Sequence, residues 1–137
     1  MPSFIEARRK NWSYLKQNLL PFAQYFILPE SALSSEPSWF GFVLTVRENA
    51  PFTRADIVKH LESNNIQTRM LFAGNLTKHP CFDELRSHAQ GYRIVVDLVN
   101  TDMVMNRTFW IGVYPGLTPA MLERMVAVIG GYVKQDD

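Results

Sequence analysis

The sequence predicts an α+β domain in which helices cover one face of a short sheet. Three observations carry that reading. Apolar residues recur at helical spacing near the start, the middle and the end of the chain. Aromatic and β-branched runs at residues 39–46, 66–72 and 108–113 alternate with those stripes and read as strands. The 137 residues suit one domain, and a chain of that length buries roughly two-thirds of its unfolded surface around one core.

Ser3 and Glu6 have capping-box spacing and predict a first helix, with Phe4, Trp12, Leu15 and Leu19 on one face and Pro21 at its end. Its Arg8, Arg9, Lys10 and Lys16 read as a solvated face. Residues 29–38, rich in serine and proline, read as a loop. In the strand at 39–46, Phe40, Phe42, Leu44 and Val46 point to one side, and Trp39, Gly41, Val43 and Thr45 to the other. After a turn at 47–51, Thr53 and Asp56 cap a second helix, with Phe52 and Ile57 as its hydrophobic staple. Ile57, Val58 and Leu61 form its apolar stripe, and Asn64-Asn65 stop it. The strand at 66–72 places Ile66, Thr68, Met70 and Phe72 on one face and Gln67, Arg69 and Leu71 on the other.

Residues 73–92 are less regular, broken by Gly74, Pro80 and Gly91, with a short helix within 81–88. Periodicity does not decide the apolar run at 93–99. Asn100 or Thr101 caps a short helix over 102–107, and a third strand follows at 108–113. Tyr114-Pro115-Gly116 turns the chain. Thr118-Pro119 starts the last helix, with Leu117 and Leu122 at staple positions. Met121, Leu122, Met125, Val126 and Ile129 form its stripe, and Gly130-Gly131 end it. There is no internal repeat, low-complexity tract or heptad array.

Composition excludes some function classes. Fourteen Lys and Arg against 13 Asp and Glu give a net charge of +1, which argues against a nucleic-acid grip driven by counterion release. One cysteine rules out an internal disulfide framework and suits a reducing compartment. No apolar run approaches the roughly 20 residues of a membrane span. The N-terminus lacks the basic-then-apolar order of a secretion signal, so a cytoplasmic location is expected.

Chemistry-bearing residues are few. His79, Cys81, Asp83 and His88 lie close in sequence but lack standard ligand spacing, so no metal site is expected. Cys81 reads as inert, His60 as a surface residue, and the scattered glycines form no phosphate-binding fingerprint. The segment 67–75 stands out. Arg69 has apolar neighbours on a strand, where a guanidinium is paired, snorkels or receives an anion. Ala73-Gly74 allow a close approach, and Asn75 offers a donor and an acceptor. A structural ion pair plus a turn accounts for the same residues. Trp39 and Phe40, before Gly41, read as core or as a ligand wall, core being preferred.

These segments carry a resemblance. Pro37-Ser38-Trp39-Phe40-Gly41-Phe42, then Leu71-Phe72-Ala73-Gly74-Asn75-Leu76-Thr77, then Phe109-Trp110-Ile111-Gly112-Val113-Tyr114-Pro115-Gly116-Leu117-Thr118 resemble the C-terminal part of the sugar-nucleotide 3-dehydrases. Those are the CDP-4-keto-6-deoxy-D-glucose 3-dehydrases of lipopolysaccharide O-antigen synthesis, within the DegT/DnrJ/EryC1/StrS sugar aminotransferase family. The resemblance runs from Phe4-Ile5-Glu6-Ala7-Arg8-Arg9 to the final helix. Asn75 stands in a region where the aminotransferase branch commonly carries a histidine-bearing turn, and so leans toward the dehydrases.

The resemblance implies that residues 1–137 form the two-layer small C-terminal domain of a fold-type-I PLP-dependent transferase, about the last third of such an enzyme. The chain then reads as an excised domain or the product of a split gene. In the family the large domain holds pyridoxamine phosphate, a histidine in place of the Schiff-base lysine, and the cysteines of a [2Fe–2S] cluster. None of those motifs is present here, and Lys10, Lys16, Lys59, Lys78 and Lys134 do not read as catalytic. The expectation is therefore a chain that binds no cofactor and is inactive alone. Its expected partners are that large domain, a second subunit in a homodimer, and a flavin/iron–sulfur reductase as electron donor. The implied reaction is C-3 deoxygenation of a CDP-4-keto-6-deoxyhexose. No catalytic residue is nominated. Arg69 is the expected contact to a diphosphate or carboxylate, Asn75 to a sugar hydroxyl or backbone, and Trp39, Phe40 and Phe72 the apolar walls. A sugar aminotransferase domain, a free-standing ligand-binding module and a dimerising interaction protein are the alternatives.

Overall fold

A computed structural model describes residues 1–88 and 90–134. The chain begins with α1 (Pro2–Leu19), a 3-10 turn (Leu20–Phe22), β1 (Phe26–Ile27) and β2 (Gly41–Val46). Then come α2 (Arg54–Ser63), β3 (Thr68–Met70), 3-10 turns at Leu76–Lys78 and Pro80–Phe82, and α3 (Asp83–His88). It ends with α4 (Val99–Arg107), β4 (Thr108–Gly112) and α5 (Pro119–Val133). The sheet order is β1-β2-β4-β3, and every neighbouring pair is antiparallel. Thus β2 and β3 run parallel, joined through α2, with β4 inserted between them, a split βαβ arrangement.

Alternation along the strands sorts the two faces. Phe42, Leu44 and Val46 of β2, and Phe109 and Ile111 of β4, are buried together with Leu15, Leu19, Ile57, Leu61, Leu122 and Ile129 of the helices. Each such side chain contributes about 1.5–3 kcal/mol of transfer free energy. Thr68 also faces this core, and its hydroxyl donates to Glu62 Oε1 at 2.7 Å, so its polar atom is satisfied. The outer face carries Gly41, Val43, Thr45, Thr108, Trp110, Gly112 and Arg69. There the Thr45 and Thr108 hydroxyls meet at 2.8 Å.

Two helix starts form as the sequence predicts. Thr53 Oγ1 accepts from Asp56 N at 3.3 Å, Thr53 N donates to Asp56 Oδ2 at 2.9 Å, and Phe52 and Ile57 are buried beneath the cap. Thr118 Oγ1 accepts from Met121 N at 3.3 Å with Pro119 in the first helical turn.

Other local expectations give way to tertiary context. The Ser3–Glu6 box does not form, because Pro2 already opens α1 and leaves Ser3 inside the helix. Phe4 is 57% exposed, off the buried stripe. Arg8, Arg9 and Lys16 are not simply solvated: they donate to the carbonyl oxygens of Trp39, Pro37 and Pro29 at 3.3, 3.2 and 2.9 Å and tie the 29–38 loop to α1. The strand at 66–72 shortens to Thr68–Met70, and Phe72 turns out with φ +47°. Phe40 precedes β2 instead of joining its core face, and its ring lies 4.9 Å from the outer-face ring of Trp110. Asn100 and Thr101 lie inside α4, whose N-cap is Leu98. Residues 93–98 are irregular, with Ile94, Val95 and Val96 exposed. Gly130-Gly131 do not end α5, which continues to Val133: neither glycine takes the positive φ of a helix stop, and Gly130 gives room to the Phe22 ring. The two-residue strand β1 is too short to carry a period.

Candidate functional site

Two features on the β3–β4 side of the sheet hold the residues of interest. The first is the turn after β3. Gly74 has φ +67°, and a Cβ there would lie 2.5 Å from Met105 Cγ, so both its backbone and the proximity of α4 require glycine. Asn75 organises the turn. Its Oδ1 accepts from Thr77 N at 3.0 Å and Thr77 Oγ1 at 2.6 Å, and its Nδ2 donates to Asp102 Oδ1 at 2.7 Å. Lys78 Nζ donates to the other Asp102 oxygen at 2.8 Å. The Lys78 and Asn75 hydrogen bonds hold the Asp102 carboxyl below the usual carboxylate value. Arg86 donates to the carbonyl oxygens of Thr77 and His79 and pairs with Asp83. The turn is thus pinned from α3 and α4.

The second feature is a groove of about 400 Å³ where β3 begins and β4 ends, beside the first turns of α5. Gln67, Arg69, Trp110, Tyr114, Met121 and Arg124 are among the residues that line it. Arg69 and Trp110 are direct cross-strand partners. A Cβ on Gly41 would lie 2.5 Å from Trp110 Cε3, so the indole lies over the β2 backbone in space that only glycine leaves open. A Cβ on Gly116 would likewise lie 2.9 Å from Tyr114 Cε2, and the buried Asn11 donates to Tyr114 O at 2.9 Å, which anchors this turn to α1. Arg69 Nη1 donates to Thr68 O at 3.0 Å and Arg124 Nη2 to Asn64 O at 3.2 Å. Among the described residues neither guanidinium has a carboxylate partner within 4.0 Å.

The five nominated residues fall in different places. Arg69 is exposed on the outer face and lines the groove. Phe72 is 86% exposed at the head of the turn, and Phe40 is 68% exposed against Trp110. Asn75 is 2% exposed with its amide engaged inside the chain. Trp39 stacks on Trp12, centroids 4.4 Å apart and planes within 4°, at the core's edge. His79, Cys81, Asp83 and His88 do not converge, and among the described residues no three His, Cys, Asp or Glu side chains form a metal-sized group. Sequence reasoning missed Trp110, Tyr114 and Arg124 as site residues. Trp110 looked like one more aromatic in the strand at 108–113, and nothing in the sequence singled out Arg124 on the last helix.

A model of the DegT/DnrJ/EryC1/StrS aminotransferase family matches residues 1–130. The dTDP-4-dehydro-2,6-dideoxy-D-glucose 3-dehydratase of Saccharopolyspora spinosa is similar at 47% identity over 131 residues, 96% of this chain and 27% of that protein. The lipopolysaccharide biosynthesis protein RfbH of Salmonella typhimurium is 47% identical over 124 residues, 90% of this chain and 27% of that one. The chain therefore spans 27% of the length of these curated relatives. Among solved structures, the GDP-4-keto-6-deoxy-D-mannose-3-dehydratase of E. coli with bound hydrated PLP superposes with a TM-score of 0.78 at 23% identity, covering 93% of this chain and 31% of that one. An aminotransferase from Streptoalloteichus hindustanus superposes at 0.77 and 14% identity, covering 100% and 34%. At those identities the structures show a shared fold, common to a dehydratase with bound PLP and an aminotransferase. Because the family model matches residues 1–130 of its 137, this chain belongs to the DegT/DnrJ/EryC1/StrS aminotransferase family.

Proposed function

We propose that this chain is the C-terminal small domain of a sugar-nucleotide 3-dehydratase that deoxygenates C-3 of a CDP-4-keto-6-deoxyhexose for O-antigen synthesis, and that it is inactive without its large domain. The observation that carries the reading is the 47% identity, over 96% of the chain, to a protein named as a 3-dehydratase. An equally similar relative is named for lipopolysaccharide biosynthesis. The cofactor belongs to the rest of the enzyme in this reading. A [2Fe–2S] cluster takes four protein ligands, usually thiolates, and this chain has one cysteine, the exposed Cys81. Its residues do not fit such a cluster, which is therefore assigned to the large domain; the resemblance to the family puts pyridoxamine phosphate there as well and takes the electrons from a separate reductase. The same reading places the enzyme in the cytoplasm as a homodimer.

Within it, Arg69 supplies a fixed positive charge to the substrate's anionic part. Phe72 and Phe40 are apolar walls. Trp39 stacks on Trp12 at the edge of the core and stands apart from these walls, and Asn75 holds the turn on which Phe72 is presented. The fold shared with a sugar aminotransferase from Micromonospora echinospora supports a second reading, a transaminating enzyme with a lysine in its large domain. The reading frame upstream of Met1 separates the two. A large domain with histidine at the Schiff-base position and clustered cysteines supports the dehydratase, and a lysine there overturns it.

A further inference from the structure

We propose that Met105 is a modification site, where oxidation of the thioether by hydrogen peroxide unlatches the turn after β3. This holds whichever enzyme the chain belongs to. The sulfur makes a bond that a carbon in its place could not. Asn75 N donates to Met105 Sδ at 3.3 Å, and Asn75 is 2% exposed, so that N–H is out of reach of solvent. The side chain is also boxed in. A Cβ on Gly74 would lie 2.5, 2.9 and 3.0 Å from Met105 Cγ, Cβ and Sδ, so the backbone of the turn runs along the thioether arm. Arg54 donates to Met105 O and holds this residue's backbone from the α2 side, which limits its retreat. Met105 and Asp102 stand one turn apart on the same face of α4. Asn75 therefore grips α4 twice, through its amide to Asp102 and through its backbone to the sulfur.

A thioether sulfur has two lone pairs. Asn75 occupies one, and the other is free to act as a nucleophile. It attacks one oxygen of hydrogen peroxide. An S–O bond forms, the O–O bond breaks, and the second oxygen leaves as hydroxide, which takes the proton of the first to give water. The sulfur is oxidised by two electrons and the peroxide is reduced. The sulfoxide sulfur is positively polarised and no longer accepts from Asn75. Its oxygen is a strong acceptor with no room on the Gly74 side. The buried N–H is left unpaired, which costs more than the bond contributed. The other half of the grip has nothing to oxidise. The Asn75 amide and Lys78 still hold Asp102, so the change is confined to the Gly74–Asn75 end of the turn, where Phe72 is presented. The remaining methionines are built-in controls. Met1, Met70 and Met121 are exposed and Met125 is buried, while Met103 is half-buried on α4 as Met105 is.

The test is graded oxidation of this chain with hydrogen peroxide, followed by peptide mass mapping and amide hydrogen exchange. Met1, Met70 and Met121 should gain oxygen first, without effect on residues 72–79. As Met105 gains oxygen, exchange at the Asn75 amide should quicken about tenfold, the loss of one net hydrogen bond. The amides of β2 and β4 should keep their protection and so report an intact core. With one lone pair held by Asn75, a single sulfoxide epimer should dominate at Met105, and one of the two epimer-specific methionine sulfoxide reductases should restore protection. Met105→Leu keeps the volume and removes the sulfur. Its Asn75 amide should exchange fast from the start and not respond to peroxide, whereas Met103→Leu should respond as the unaltered chain does. Four results overturn the proposal: Met105 left unoxidised in the folded chain, Met105 oxidised with exchange at Asn75 unchanged, peroxide still quickening that amide in Met105→Leu, or both epimers formed equally.

Discussion

Gly130 and Gly131 are neighbours in α5, and alanine at the two positions should change stability in opposite directions. In a helix interior Gly→Ala is worth about 1 kcal/mol of propensity, and less near the end, so about 0.5 kcal/mol is expected at Gly131. Among the described residues nothing lies within 4 Å of a Cβ built at Gly131, so Gly131→Ala should keep that gain. At Gly130 the added carbon would lie 2.6 Å from Phe22 Cζ, 3.1 Å from Cε2 and 3.6 Å from Cε1. Carbon–carbon contacts are comfortable near 3.5–4.0 Å, so the ring must retreat by about 1 Å. Phe22 follows Pro21 in the turn after α1 and packs on the core, which limits its retreat. Overpacking of this kind costs about 1–3 kcal/mol. The net for Gly130→Ala is a loss of about 1 kcal/mol, and the two variants should differ by about 1.5 kcal/mol. Urea unfolding at constant m measures this directly, and a thermal scan should show a difference of several degrees. In a Phe22→Ala background Gly130→Ala should become stabilising. A Gly130→Ala protein as stable as Gly131→Ala, with Phe22 present, would refute the reasoning.

Asn75→Ala should cost about 1–3 kcal/mol by leaving the Thr77 N–H and Asp102 Oδ1 without their partner, while Lys78 keeps the other Asp102 oxygen, and hydrogen exchange should show the 72–79 turn opening before the core. Thr118→Ala removes the α5 cap and should cost about 1 kcal/mol in the same urea assay. Asp102 and Asp56 both titrate below the ordinary 3.8 in the folded chain, Asp56 through its hydrogen bonds from Thr53. A depressed carboxylate pKa contributes stability above the unfolded value, and that part is lost as pH falls through 3.8 toward the folded value. Asp102→Asn and Asp56→Asn should each flatten the acid limb of a stability–pH curve, and an unaltered limb would count against these hydrogen bonds. In the full-length enzyme Arg69→Ala should raise KM with kcat and fold nearly unchanged, because an anion contact away from the reacting carbon is uniform binding.

What could be read from the sequence was local. Thr53 with Asp56, and Thr118 with Pro119, announce helix starts because the capping bonds span three residues and need no partner elsewhere. The alternation in 41–46 grouped Phe42, Leu44 and Val46 on one side because a strand's side chains must alternate, and the structure buries that side. The resemblance found the family from three short blocks, and the match over residues 1–130 agrees with it. Arg69 could be nominated because a guanidinium among apolar neighbours is conspicuous in one dimension. The rest depended on contacts between distant segments. Gly130-Gly131 look like a helix stop until Phe22 is seen against one of them. Phe40 looks like a core residue until Trp110 is found beside it on the outer face. Asn75 looks available to a ligand until Thr77 and Asp102 are seen to occupy its amide. Arg69, Trp110 and Arg124 share a groove only because β3 pairs with β4 and α5 packs beside them. Caps and periods are set by neighbours a few residues apart. Strand order and groove walls are set by which faces can be buried together, a property of the whole chain that no single segment encodes.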